Sequence, residues 1–255
     1  MLPQYSEKYA HASMITPEKN LDHRRQHGRF PKSAPPRTVI LCYSSRFIKQ
    51  VLENYAHQQC EECFSKLYYL TDHPSVAIGN FGVGAPVTAL RMEDLISWGV
   101  KQFIAIGSAG AINPKLTIGD IVLCEKAVRD EGTSFHYMPP SKYIHAPQRM
   151  RLMLGKHLNK MQIAHRIGST WTTDSFYRQT SLEVKHFQDE GILTVEMEAA
   201  AIFAVAHVHQ VDLGAMFTIS DLHTDQDWMP HFENVKKWEG MHNILKAALA
   251  AAAEE

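Results

Sequence analysis

Apolar and polar positions alternate in blocks along most of this chain. Short runs of branched apolar residues are followed by longer runs in which apolar residues recur at helical spacing. Thr38-Val39-Ile40-Leu41-Cys42 predicts a buried strand, and Phe47 to Ala56 a helix. Val76-Ala77-Ile78-Gly79 predicts the next strand. Pro86 suits the first turn of a helix that runs to Trp98 and stops at Gly99. Gln102 to Ile106 is another buried strand type, and it breaks into Gly107-Ser108-Ala109-Gly110. Extended structure resumes at Gly119-Asp120-Ile121-Val122-Leu123. A helix is predicted from Pro147 to Met161, a strand from Ile167 to Thr172 and a helix from Leu182 to Asp189.

The chain is organised around residues 192–206. There a strand, Ile192 to Val195, runs into a helix whose residues after Glu198 are nearly all small or apolar. Such a helix is buried on most sides. Glu196 and Glu198 stand at its mouth, and they cannot share one helix face. Leu213 to Ser220 predicts a strand ending at Asp221, and a last helix spans about Asn234 to Ala253. Strands alternating with helices predict an α/β fold: a single three-layer α/β/α domain around a mixed or mostly parallel sheet. Ligands in such sheets sit beyond the carboxyl ends of strands.

Residues 1–36 break the pattern. They are polar, carry basic residues in Asp22-His23-Arg24-Arg25-Gln26-His27-Gly28-Arg29, and close with Pro31, Pro35 and Pro36. An N-terminal arm over 1–36 and a catalytic domain over 37–255 are therefore expected. The arm is either a flexible tail or a segment with one short helix, ordered by packing on its own or another subunit.

Composition narrows the classes. Formal net charge is −1 at pH 7, so there is no electrostatic footprint for nucleic acid or a membrane surface. No apolar run reaches spanning length and the first residues lack a signal-peptide core, so a cytoplasmic protein is expected. Cys60-Glu61-Glu62-Cys63 has half the spacing of a zinc site with no second half, which favours reduced cysteines on a helix-loop edge. The 15 histidines form no metal-binding pattern, and no metal or organic cofactor is expected.

Four stretches carry candidate chemistry. Gly82-Val83-Gly84-Ala85-Pro86 is a glycine turn opening a helix, with N–H groups suited to an anion or a sugar hydroxyl. Gly107-Ser108-Ala109-Gly110 offers N–H groups and the Ser108 hydroxyl to a phosphate, although its spacing is neither a Walker loop nor a dinucleotide fingerprint. Thr172 to Tyr177 ends in two aromatics, one of which can stack on a planar base or simply fill the core. Ser220-Asp221 follows a strand, where the acid is either a helix cap or a group in a cleft.

In order, Gly-x-Gly-x-Pro, Gly-Ser-Ala-Gly, Gly-Asp-Ile-Val, Asp-x-Phe-Tyr, Val-Glu-Met-Glu-Ala and Ile-Ser-Asp resemble the nucleoside phosphorylase-I family from about Thr38 to Glu255. That family includes purine nucleoside and uridine phosphorylases and the methylthioadenosine/S-adenosylhomocysteine nucleosidases. The Gly-Ser-Ala-Gly to Gly-Asp-Ile-Val stretch is especially similar to the nucleosidase branch. The resemblance implies that Glu198 holds ribose hydroxyls, with Glu196 beside it, and that Met197 packs on the sugar. It implies that Phe176 stacks on the base and that Asp221, titrating above its ordinary range, protonates a purine at N7. It further implies a small-molecule nucleoside as partner, inorganic phosphate as co-substrate and a homo-oligomer, either a dimer or a hexamer. The N-terminal arm would then be placed to donate His or Arg residues to a neighbour.

Two departures qualify these expectations. Cys42-Tyr43-Ser44-Ser45-Arg46 stands where phosphorylases of the family carry Gly-Asp-Pro and an arginine, and Ala105 replaces a second arginine. Arg46, Ser108 and Gly84 are the anion-binding candidates, with Arg91, Arg129 or Arg178 as substitutes. The glutamate by which nucleosidases activate water is missing too, since Ser44 and Ser45 occupy its region. Phosphorolysis, hydrolysis and nucleoside binding without turnover all remain open on sequence, with phosphorolysis preferred.

Overall fold

A computed structural model describes residues 5–224 and 227–254. Residues 1–4 of the expected arm, and 225, 226 and 255 of the expected domain, lie outside the described residues. The arm contains a 3-10 turn, Ser6–Ala10, and helix α1 (Pro17–Gln26). Strand β1 (Thr38–Cys42), helix α2 (Ser45–Asn54), β2 (His57–Gln59), β3 (Leu67–Leu70) and β4 (His73–Asn80) follow. Then come α3 (Ala85–Trp98), β5 (Gln102–Ala111), β6 (Ile121–Asp130), α4 (Ser134–Tyr137), β7 (Tyr143–His145), α5 (Gln148–Lys160) and β8 (Arg166–Thr173). The chain closes with α6 (Ser181–Asp189), β9 (Thr194–Glu196), α7 (Ala199–His209), β10 (Asp212–His223), β11 (Trp228–Pro230) and α8 (Val235–Ala253).

All these strands join one mixed sheet, and its middle closes on itself. β5 runs parallel to β1 and β10 and antiparallel to β9. β10 in turn pairs antiparallel with β6, β6 parallel with β8, and β8 parallel with β9. The ring β5-β10-β6-β8-β9 carries an extension through β1, β4, β3 and β2. Side chains alternate across the strands. Val39 and Leu41 therefore join the core beneath α3 and α7, while Ile40 and Cys42 join the core beneath α2, α5 and α8. Every residue of α7 from Ala199 to Ala206 is buried, as its composition predicts.

Two expected boundaries move. β5 passes through Gly107-Ser108-Ala109-Gly110 instead of breaking there. A Cβ on Gly107 would lie 3.1 Å from the Tyr43 ring, so this glycine serves close packing within a strand rather than a turn. β10 likewise continues past Asp221 to His223, with a bulge between Ile219 and Asp221 that leaves Ser220 out of the β5 register.

The arm packs on its own chain. Leu21 is buried in the core, Asn20 Nδ2 donates to Asp94 Oδ1 at 3.1 Å, and the Tyr9 hydroxyl donates to the Phe135 carbonyl at 2.6 Å. The cysteine reading changes: Cys60 and Cys63 are bonded to each other, in the segment between β2 and β3 rather than on a helix edge. That segment sets their Cα atoms 5.8 Å apart, a distance a disulfide spans. No helix among the described residues is long and apolar enough to cross a membrane.

Candidate functional site

The carboxyl ends of β1, β5, β9 and β10 converge on a cavity of about 180 Å³. Its lining brings together Ser108, Phe176, Glu196, Met197, Glu198 and Asp221, residues singled out separately in the sequence. No group of three or more potential metal-ligating side chains occurs among the described residues.

Glu196 ends β9 and turns inward. The N–H groups of Glu198 and Ala199 donate to its Oε2 at 2.8 and 2.7 Å, and the Thr172 hydroxyl donates to Oε1 at 2.5 Å. It thus caps the first turn of α7, where a carboxylate also meets the positive end of the helix. Glu198 points elsewhere and accepts the Gly84 N–H at 2.5 Å. Both carboxylates are buried, which raises the pKa of each, and the charge of Glu196 pushes Glu198 up further.

Asp221 sits inside β10 and caps no helix. The Ser220 hydroxyl donates to its Oδ1 at 2.6 Å and the Trp228 indole N–H to Oδ2 at 2.8 Å, with His223 Nε2 3.4 Å from the same oxygen. Burial alone would raise this carboxyl. Contacts from His223, Ser220 and Trp228 outweigh burial and hold it below the ordinary carboxylate range. The expected upward titration of Asp221 is therefore corrected. Gly110 makes room for the pair, since a Cβ there would lie 2.7 Å from both Asp221 Oδ2 and His223 Nε2. Phe176 lies in a 3-10 turn after β8, edge-on to Trp228 with centroids 5.6 Å apart, while Tyr177 is almost fully exposed.

The anion-binding expectations fare unevenly. Ser108 is exposed on the pocket wall. Gly84 has φ +111°, which suits glycine, but its N–H is occupied by Glu198 and is not open to an anion. Arg46 does not line the pocket: it pairs with Glu233, and its guanidinium carbon lies 4.8 Å from the centre of the Trp238 ring. The substitutes are placed elsewhere too. Arg91 lies 3.6 Å from Asp94. Arg129 donates to Ser134, Ser141 and the carbonyls of Met138 and Pro139. Arg178 lines a separate hollow with Asp130 and Asp174.

Sequence reasoning missed several lining side chains, among them Tyr43, His223, Lys237 and Trp238. His223 follows Asp221 by two positions in a strand, the spacing that puts both on one face. Lys237 falls on the stripe Lys237, Gly240, Met241, Ile244, Leu245 of α8, all buried. A lysine on an apolar stripe was the available signal.

The sequence pattern of the phosphorylase superfamily matches residues 37–253. The chain is 29% identical over 157 residues to a uridine phosphorylase of Thermococcus kodakarensis, covering 56% of this chain and 57% of that relative. It is 30% identical over 192 residues to a DeoD-type purine nucleoside phosphorylase of Caldanaerobacter subterraneus, covering 72% of this chain and 82% of that one. A solved purine nucleoside phosphorylase from Toxoplasma gondii in complex with immucillin-H superposes with a TM-score of 0.76 at 19% identity, over 86% of this chain and 91% of that chain, a likeness of fold. With most of its length matched and its motifs in the family's order, this chain belongs to the phosphorylase superfamily, the nucleoside phosphorylase-I family that those motifs resemble.

Proposed function

We propose that this protein cleaves the N-glycosidic bond of a purine nucleoside by phosphorolysis, releasing free base and ribose-1-phosphate. The observation that carries this reading is the convergence of Glu198, Met197, Phe176 and the Asp221–His223 pair on one pocket. A phosphate oxygen attacks C1′ as the C1′–N9 bond breaks. The bonding electron pair leaves with the base, and positive charge develops on the ribosyl ring. Glu198 binds the ribose hydroxyls from the pocket wall. Met197 packs on the sugar and Phe176 against the base.

The departing purine takes up a proton at N7. That proton reaches N7 through the Asp221–His223 pair, whose Oδ2 and Nε2 atoms lie 3.4 Å apart. Preference for a purine rests on this pair, which faces a ring nitrogen acceptor; the relatives' names include both uridine and purine.

Hydrolysis is the second reading, favoured by the engagement of Arg46 with Glu233 instead of the pocket. One experiment separates the two: base release from inosine, adenosine, guanosine and methylthioadenosine, each with and without phosphate. Strict phosphate dependence with ribose-1-phosphate formed is the expected result. Equal release without phosphate would replace it with hydrolysis. A homo-oligomer goes with this reading; sedimentation of the full chain as a monomer would remove that part alone.

A further inference from the structure

One wall of the pocket carries more hydrogen-bond donors than the protein supplies acceptors. Lys237 is buried, at 7% exposure, and among the described residues its hydrogen bond is to the Phe232 carbonyl at 3.0 Å. An ammonium carries three N–H donors. Glu233, an acid near it, is paired with Arg46. The Tyr43 hydroxyl and the Trp238 indole N–H are both buried with no partner among the described residues. All three side chains line the cavity, and the exposed Ser108 faces it too.

Buried donors in native proteins find acceptors, and a buried charge is costly unless its hydrogen bonds are met. The Lys237 ammonium lies 3.9 Å from the centre of the Trp238 ring, and together with the unpaired donors of the same lining it calls for a compact, acceptor-rich anion. We propose that Lys237 binds a phosphate oxyanion in this pocket, with the Tyr43 hydroxyl and the Trp238 indole of the same lining as further donors. The inference rests on the phosphorolytic reading above for its co-substrate. Chemically, the same oxyanion can be free phosphate or the phosphoryl group of a nucleoside 5′-monophosphate.

The placement of Lys237 is a product of the fold. A Cβ on Gly240, one turn further along α8, would lie 3.0 Å from the Gly119 carbonyl oxygen and clash with Thr218. That close approach presses α8 onto β10 and carries Lys237 to the pocket rather than to solvent. Burial lowers the Lys237 pKa; the negative charges of Glu233 and Asp221 oppose this, and the positive charge of Arg46 augments it. A bound dianion acts in the opposite direction and favours the ammonium form of Lys237.

The test is thermal stabilisation of the full chain at constant ionic strength by inorganic phosphate and, separately, by a nucleoside 5′-monophosphate. It compares wild type with Lys237→Met, Lys237→Arg and Tyr43→Phe. Met keeps the stem of Lys237, and Phe removes only an unpaired hydroxyl, so both variants retain the packing. Inorganic phosphate is expected to stabilise wild type. Lys237→Met should weaken its apparent affinity at least about tenfold and Tyr43→Phe about threefold, with Lys237→Arg nearer wild type. The KM for phosphate should rise in parallel while the KM for nucleoside stays within about threefold. Unchanged phosphate affinity in Lys237→Met, or no response of wild type to either ligand, would overturn the site. Unchanged affinity with phosphate-dependent base release would overturn it while leaving phosphorolysis standing. Lysine-dependent binding of phosphate, or of the nucleotide alone, with phosphate-independent base release would sink phosphorolysis and keep the site.

Discussion

The Gly84 N–H donates to the Glu198 carboxylate at 2.5 Å, joining two residues 114 positions apart. This contact ties the turn before α3 to the mouth of α7, and it aims Glu198 into the cavity. Gly84 has φ +111°, and a Cβ added there would meet nothing within 4 Å. Gly84→Ala therefore tests backbone strain without a steric clash. It should cost about 1–2 kcal/mol in urea unfolding and lower turnover through a displaced Glu198. Wild-type stability in this variant would contradict the account.

Glu198 and Glu196 link stability to pH. The carboxyl pKa of each is raised by burial, so the folded chain holds protons that the unfolded chain releases. This contribution is complete below the ordinary carboxylate range and fades as pH rises through the folded-state values. The unfolding free energy of wild type is expected to decline between about pH 5 and about pH 9, and Glu198→Gln to flatten the decline. Parallel profiles for the two proteins would argue against the shift.

Asp221→Asn should reduce turnover by about 10²- to 10⁴-fold while the far-ultraviolet spectrum is unchanged. An amide oxygen still accepts from Trp228, but the carboxylate beside His223 is gone. Asp221 is held below the ordinary range, so its own contribution to stability is present at neutral pH and lost as pH falls through its folded-state value. Activity close to wild type would remove Asp221 from the reaction.

Gly110→Ala places a methyl group 2.7 Å from both Asp221 and His223. The pair must move apart, and a displacement near 1 Å costs about 10²-fold in rate. We expect that loss in kcat, with less change in nucleoside KM. Full activity would mean that the pair is not held in working geometry by this contact.

Much of the frame was legible because local signals agreed. The apolar run after Glu198 became a buried helix, and Gly99, at φ +127°, ended α3. Failures came where one residue type serves two purposes. Gly107 and Gly110 read as a strand break, yet they are strand residues left bare for Tyr43 and Asp221. Asp221 read as the end of a strand because the bulge at Ser220 is a property of the pairing, not of the composition. Arg46 was chosen for its charge and its place after β1, but the nearness of Glu233, 187 positions away, has no local signature. Lys237 was passed over because Lys236-Lys237 looks solvated unless the whole buried stripe of α8 is followed.

The closed ring has a consequence in time. β5 acquires β1 as a neighbour early in the chain, but its other partners, β9 and β10, begin only at Thr194 and Asp212. During synthesis the open side of β5 waits for about a hundred further residues, and pairing at such separation is slow to form. The unfinished sheet is thus a hydrophobic edge open to wrong partners until the last quarter of the chain emerges. Glu196, Glu198 and Asp221 arrive with those same closing strands. The act that seals the sheet also assembles the pocket, so no intermediate that lacks β9 and β10 holds the complete lining.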